Sequence, residues 1–440
     1  MQRPKGGVTE SATQIDRREL LRIGSLAAMG AGGLAVTPHL FGTEPSQTGK
    51  RLRMAIITTI WRTGSHAWHM AERFLVGYPR RGRWHKPPID VVGAYVDQIA
   101  ADDLSRPRSK EFNFPIYPTI AEALRCGGDQ LAVDCVLLIG EHGDYPRNEF
   151  GQKLYPRYEF FKQITDVFRQ DGRSVPIFND KHLSWKWEHA QEMVNISREL
   201  NFPFMAGSSL PVTHRMPAVE IPFGAEIEEV VHVNNGVDDY HSFEALQCMV
   251  ERRRGGETGI AAVQVQKEDA VWRAMEAHGW DAGGWDPRLF EACLSRSQKL
   301  TQEEANSHRY PSLAQMRQWT KSPWFYRIEY CDGLKVTLLV LQGLVGDITF
   351  AARLKGESEP VSTMFYLHNA PNIYYSSALM SQAEDMFVTG KAAYPVERTL
   401  LASGLIQAAC QSHTTDQRRI ETPHLDVRYT VSPQSHFIND

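Results

Sequence analysis

GRSVPIFNDKHLSWKWEHAQEMVNISRELNFPFMAGSSL, Gly172 to Leu210, reads as strand, loop, helix, strand. Ser174–Phe178 and Phe202–Ala206 are short apolar runs. Between them Ser184 is the expected helix N-cap, followed by His189, Met193, Ile196 and Leu200 at helical spacing. A unit of this length suits a right-handed crossover between parallel strands, and ligands bind at the carboxyl ends of such strands. Lys181 and His182 fall in that first loop.

Upstream the same alternation repeats. Leu52–Thr58 is an apolar first strand, followed by Trp61, Arg62, Ser65, His66 and a helix over Trp68–Val76. Gly77–Pro88 is a polar insertion rich in Pro and Gly. Ile89–Val96 is the second strand, ending at Asp97. Ile116–Thr119 and Ile120–Arg125 make a short strand and helix. Val133–Ile139 is a strongly apolar strand, after which Glu141, His142 and Asp144 crowd into one loop. Tyr158–Gln170 is the next helix. This pattern over 52–206 predicts a parallel, doubly wound sheet. After Ser209 the grammar changes. Glu228–Asn234, Gly259–Val265, Lys335–Val340 and Asp347–Leu354 suit a second sheet, with helices expected at Ser242–Arg252, Ala383–Thr389 and Val396–Ser412.

The order of these elements and the loop Asp180-Lys181-His182-Leu183 resemble the Gfo/Idh/MocA family of sugar dehydrogenases. In that family the corresponding strand ends in a Glu-Lys-Pro loop; here the lysine is kept, with Asp for Glu and His for Pro. Asp238-Asp239-Tyr240-His241 is similar to the family's D-x-x-x-H stretch, with the acids three and two residues before His241. The resemblance covers about residues 52–420. It implies a Rossmann-like domain over 50–208 and a C-terminal α+β domain over 209–440 with a mostly antiparallel sheet. It also implies NAD or NADP as cofactor, a carbohydrate or polyol substrate, and Lys181, His182, Asp238 and His241 as the catalytic set. An open sheet face of this kind suits pairing with a second copy, so a homo-oligomer is expected.

A dinucleotide site places glycines after the first strand, because the pyrophosphate approaches the backbone at a helix N-terminus. The aligned positions are Thr58, Ile60 and Thr63, and only Gly64 lies near. Thr58, Trp61, Arg62, Asp97, Glu141 and His142 are the candidate cofactor contacts: Asp97 ends the second strand, where a ribose-binding acid is expected. Lys181 can polarise a hydroxyl, or serve as a base if burial lowers its pKa. The rival reading needs no nicotinamide. It is a metal-assisted sugar hydrolase or lyase built from His66, Glu141, His142, Lys181 and His241, with Glu141, His142 and His214 as candidate ligands of a divalent metal; a non-catalytic sugar-binding protein would use the same cleft.

Composition narrows the classes. The chain has 440 residues, 42% of them hydrophobic, enough for two domains, and a net charge of −4 gives no electrostatic case for nucleic acid or an anionic membrane. Six cysteines without a C-x-x-C pair read mostly as small core residues. Asp16-Arg17-Arg18-Glu19-Leu20-Leu21 before a Gly/Ala-rich stretch looks like a twin-arginine export signal, so residues 1–45 are set aside as signal and linker and a periplasmic or secreted location is expected. That stretch is too short and weakly apolar to be a membrane span.

Overall fold

The computed structural model describes residues 51–236, 238–298, 310–368 and 373–438; the stretch expected to be an export signal lies outside them. The first sheet contains β1 (Leu52–Ile60), β4 (Ile89–Gln98), β5 (Ile116–Tyr117), β6 (Cys135–Ile139), β7 (Ile177–Asp180) and β8 (Phe204–Gly207), while β2 (Tyr78–Arg80) and β3 (Arg83–His85) form a separate hairpin. All pairings in the six-stranded sheet are parallel and its order is β5-β4-β1-β6-β7-β8. The chain therefore reverses direction across the sheet between β1 and β6, the place where doubly wound folds bind ligands.

Both faces of this sheet are covered, as its apolar runs require. Ala55 and Ile57 of β1 pack with Phe160, Phe161 and Ile164 of the helix Arg157–Asp171, and with Met193 of the helix Trp187–Glu199. Met54 and Ile56 point the other way, against Phe74, Leu379, Met386 and Phe387. Three of those four partners come from sequence beyond residue 370. The helix Tyr374–Thr389 thus returns to cover the first sheet, and the helix Glu397–Thr414 reaches β8, where Thr399 Oγ1 donates to the Ala206 carbonyl at 3.0 Å.

The second sheet gathers β9 (Arg215–Met216), β10 (Ile227–Asn234), β11 (Ile260–Lys267), β12 (Trp324–Tyr330), β13 (Lys335–Val340), β14 (Ile348–Leu354), β15 (Val361–Phe365) and β16 (Ile420–Glu421). Its order is β16-β11-β12-β13-β10-β14-β15-β9, antiparallel throughout except for β10 beside β13. The two sheets belong to one compact unit, Arg51–Asp440.

Local details depart from the sequence reading at helix starts. Lys186, not Ser184, precedes the helix Trp187–Glu199, and the Ser184 hydroxyl accepts from the Lys186 amide. The segment after β1 opens with a π-helical turn, Ala67–Ala71, before the α-helix Glu72–Val76. The polar insertion folds into the β2–β3 hairpin. All six cysteines are free, with Cys135, Cys248 and Cys293 buried.

Candidate functional site

Lys181 leaves β7 in the left-handed region, φ 61°, which strains a non-glycine residue. Its amide donates to the Gly207 carbonyl at 3.2 Å, pinning the turn to the end of β8. Gly207 itself has φ 126°, and a Cβ there would come within 2.8 Å of Glu244 Oε2 and 2.9 Å of Thr399 Oγ1. The bare backbone at this point lets the first sheet meet helices from the rest of the chain.

The turn carries the Lys181 ammonium to 3.0 Å from Asp238 Oδ2 and 3.7 Å from Glu141 Oε1. Burial works against the charge, but Glu141, Asp238 and Asp180 together outweigh it and hold the pKa above the ordinary lysine value. The sequence reading allowed a lysine made basic by burial; the surrounding carboxylates instead keep it a cation. Asp238 is the N-cap of the helix Asp239–Val250, its Oδ1 accepting from the Tyr240 amide at 3.1 Å. The helix begins three residues earlier than expected, which puts His241 in its first turn.

His241 Nδ1 shares a hydrogen bond with Ser208 Oγ at 2.7 Å, just past β8. Burial, then the Lys181 charge, lowers its pKa to about 4, so the ring is neutral at pH 7. His182 faces another way. Its ring lies 3.2 Å from the Arg157 guanidinium and edge-on to Tyr240, and burial followed by Arg157 lowers its pKa to about 3. Arg157, fully buried, also pairs with Glu141. Glu141 is thus clamped between two cations, and although burial opposes ionisation, Lys181 and Arg157 hold its pKa below the usual range.

A second pair stands beside this centre. Asp180, fully buried at the end of β7, accepts from His66 Nδ1 at 2.6 Å. Its Oδ1 has no hydrogen-bond partner. Burial disfavours this carboxylate charge, yet His66, Arg157 and Lys181 depress the pKa overall. His66 follows β1 and Asp180 ends β7, so the contact passes over the end of β6. There His142 lies edge-on to His66 at 5.0 Å, with His69 on its other side at 4.7 Å. Burial, then His66, lowers the His142 pKa to about 4. The sequence reading named His66 but did not pair it with Asp180. Its one signal was position, in the loop after the first strand.

The remaining candidates are placed as follows. Thr58 is buried and its hydroxyl turns back to the Ile60 carbonyl at 3.3 Å. Trp61 is buried, stacks with Phe114 and donates Nε1–H to Glu72 at 3.1 Å. Arg62 bridges Asp103 through its backbone, and its guanidinium reaches the Thr63 carbonyl. Asp97 Oδ1 accepts from Tyr95 and Oδ2 from Tyr145, at 2.8 and 2.6 Å. His214 stacks with Tyr374 and meets His368 edge-on. Among the described residues no group of three or more His, Cys, Asp or Glu is arranged to hold a metal ion. The metal reading is corrected on this point, since Glu141 is committed to Arg157 and Lys181.

These residues do not offer a dinucleotide the ordinary cradle. The loop after β6 leaves its strand, passes the end of β1 and docks on β4. Gln98 bonds the Asp144 backbone reciprocally, at 2.9 and 2.8 Å, and Tyr145 takes Asp97. A ribose diol would have to displace that phenol.

No protein-family model matches the chain, and no curated protein matches it in sequence. Solved structures do match in fold. GenD2 from gentamicin A biosynthesis, determined in complex with NAD, aligns over 87% of this chain and 99% of its own at TM-score 0.52 and 14% identity. Apo scyllo-inositol dehydrogenase from Lactobacillus casei aligns over 84% and 98% at TM-score 0.50 and 8% identity. The fold shared with these structures is a Rossmann-like parallel sheet followed by a mostly antiparallel one. Among the described residues no helix is long and apolar enough to cross a membrane.

Proposed function

We propose that the chain acts on a carbohydrate or polyol, holding one hydroxyl between the Lys181 ammonium and the neutral His241 ring. The convergence of Lys181, Asp238 and His241 at the ends of β7 and β8 is the observation that carries this reading. In the tautomer that donates Nδ1–H to Ser208, His241 presents a lone pair on Nε2. Lys181 then polarises the ligand oxygen while Nε2 takes its proton, and Asp238 keeps the ammonium aimed. Loss of the hydroxyl proton readies its carbon to pass a hydride to a nicotinamide; an elimination would instead have Nε2 take a carbon-bound proton as the β-substituent leaves. The fold likeness favours an oxidoreductase. The docked loop over β1 favours the second reading, a lyase or hydrolase that needs no dinucleotide.

A thermal-shift panel of inositols, hexoses and uronates tests the proposal. At least one hydroxylated probe is expected to stabilise the wild-type protein and to lose most of that effect in His241→Asn. A panel without any such shift would sink the reading. We also propose export by the twin-arginine route. Residues 1–50 fused to a reporter are expected to carry it across the inner membrane, and Arg17→Lys with Arg18→Lys to stop it; a reporter retained with the native pair would refute this.

A further inference from the structure

We infer that this chain shuts its dinucleotide groove with its own residues 141–145. This goes beyond the proposed function, since a hydroxylated ligand and a dinucleotide occupy different halves of the crevice. In the strand order β4-β1-β6, a segment that leaves β6 and docks on the end of β4 must cross the end of β1. That crossing is where a nucleotide ribose and pyrophosphate lie in this fold class.

The crossing is built rather than loosely draped. Thr59 Oγ1, buried at the end of β1, donates to the Glu141 carbonyl at 2.7 Å. Lys153 Nζ donates to the Gly143 carbonyl at 2.7 Å. Gly143 has φ 97°, and a Cβ there would sit 2.8 Å from the Tyr145 ring and 3.0 Å from Gln98 Oε1, so only glycine lets the segment lie this close. Gln98 and Asp97 then receive it through three hydrogen bonds. Tyr145 also meets Tyr155 edge-on at 5.7 Å. On the far side of β1, the His66–Asp180 contact bridges the space above β6. Of the three aligned glycine positions, Thr58 and Ile60 are buried and Thr63 is exposed. The groove is closed by this distant segment.

The test uses the full chain with NADH and NADPH as probes, read by nicotinamide fluorescence and by nucleotide released on denaturation. The wild-type protein is expected to release no nucleotide and to show no saturable binding below about 1 mM, an affinity of only about 4 kcal/mol. The double variant Gln98→Ala, Tyr145→Ala unties the segment from β4 and is expected to bind NADH at least about tenfold more tightly. Saturable micromolar binding by the wild type would overturn the inference. So would the absence of any gain in a double variant whose circular dichroism and melting remain cooperative. A hydroxylated probe that still stabilises both proteins separates this outcome from failure of the proposed function.

Discussion

The two halves of the crevice share one sheet edge and differ in what fills them. Over β7 and β8 stand Lys181, Asp180, Asp238 and His241, a set of opposed charges around a neutral imidazole. Over β4 and β1 lies a plug of Tyr145, Gln98 and backbone, with Asp97 already supplied with two phenol donors. Asp180 and Lys181 are held away from water, which is costly unless paired, and Lys181 is paired with Glu141 and the half-exposed Asp238 across elements far apart in sequence. The plug's hydrogen bonds, Gln98 with Asp144 and Tyr145 with Asp97, also join residues far apart in sequence, but they hold the segment down on the sheet instead of presenting groups to a ligand. One half is therefore organised to engage a ligand and the other to exclude one.

The strongest way to break the comparison is Lys181→Met. It leaves Glu141 with Arg157 alone and deprives Asp238 and buried Asp180 of their shared cation, so a loss of about 3 kcal/mol in urea unfolding is expected, together with loss of any carbohydrate-induced shift. Retention of both would show that the charged half is incidental.

Acid comes next. His142, His182 and His241 titrate in the folded protein at about 4, 3 and 4, all below the ordinary histidine value because of burial. A depressed histidine contributes stability that is fully present above its unfolded pKa of about 6.5 and is lost as pH falls toward the folded value. Glu244 runs the other way. Burial raises it to about 7, so its contribution is present at low pH and lost as pH rises through 7. With His232 and His413, also lowered by burial to about 3 and 4, five histidines stand against Glu244 and Asp239, the latter raised by burial to about 6, and the melting temperature is expected to fall from pH 6.5 to pH 4. Hydrogen exchange should show the Lys181 loop opening before residues 143–145; the reverse order would contradict the division drawn here.

Gly207→Ala sharpens the boundary between the halves. A side chain at φ 126° and within 2.8 Å of Glu244 is expected to cost about 2 kcal/mol. Pairing it with Glu244→Ala should recover part of that cost. The smallest effect expected is Ser208→Ala, about 1 kcal/mol or less from one hydrogen bond. Its value lies in separating roles: without Ser208 the His241 tautomer is unfixed, so probe binding should weaken more than stability does.

Much of the fold was legible because it rests on local periodicity. The buried runs at Leu52–Thr58 and Val133–Ile139, and the lysine loop after Phe178, each announce a strand and its exit. The boundaries moved by a few residues where caps and strand ends depend on neighbours, as at Lys186. Lys181 and His241 were visible as candidates because their positions follow from strand ends and a helix start. The partners were not. Arg157 reads in sequence as the edge of a helix, and nothing local says that it will sit fully buried between Glu141 and His182.

By itself the sequence determined the alternation of strands and helices, the change of grammar after Ser209 and the loops that reach the sheet's carboxyl edge. These follow from side-chain patterning along a few consecutive residues. Tertiary structure alone decided that Lys181 stays charged, that His66 meets Asp180, and that Tyr145 lies on Asp97. Those outcomes depend on burial and on partners 48 or 114 positions away, whose fields and hydrogen bonds exist only once the sheet has assembled.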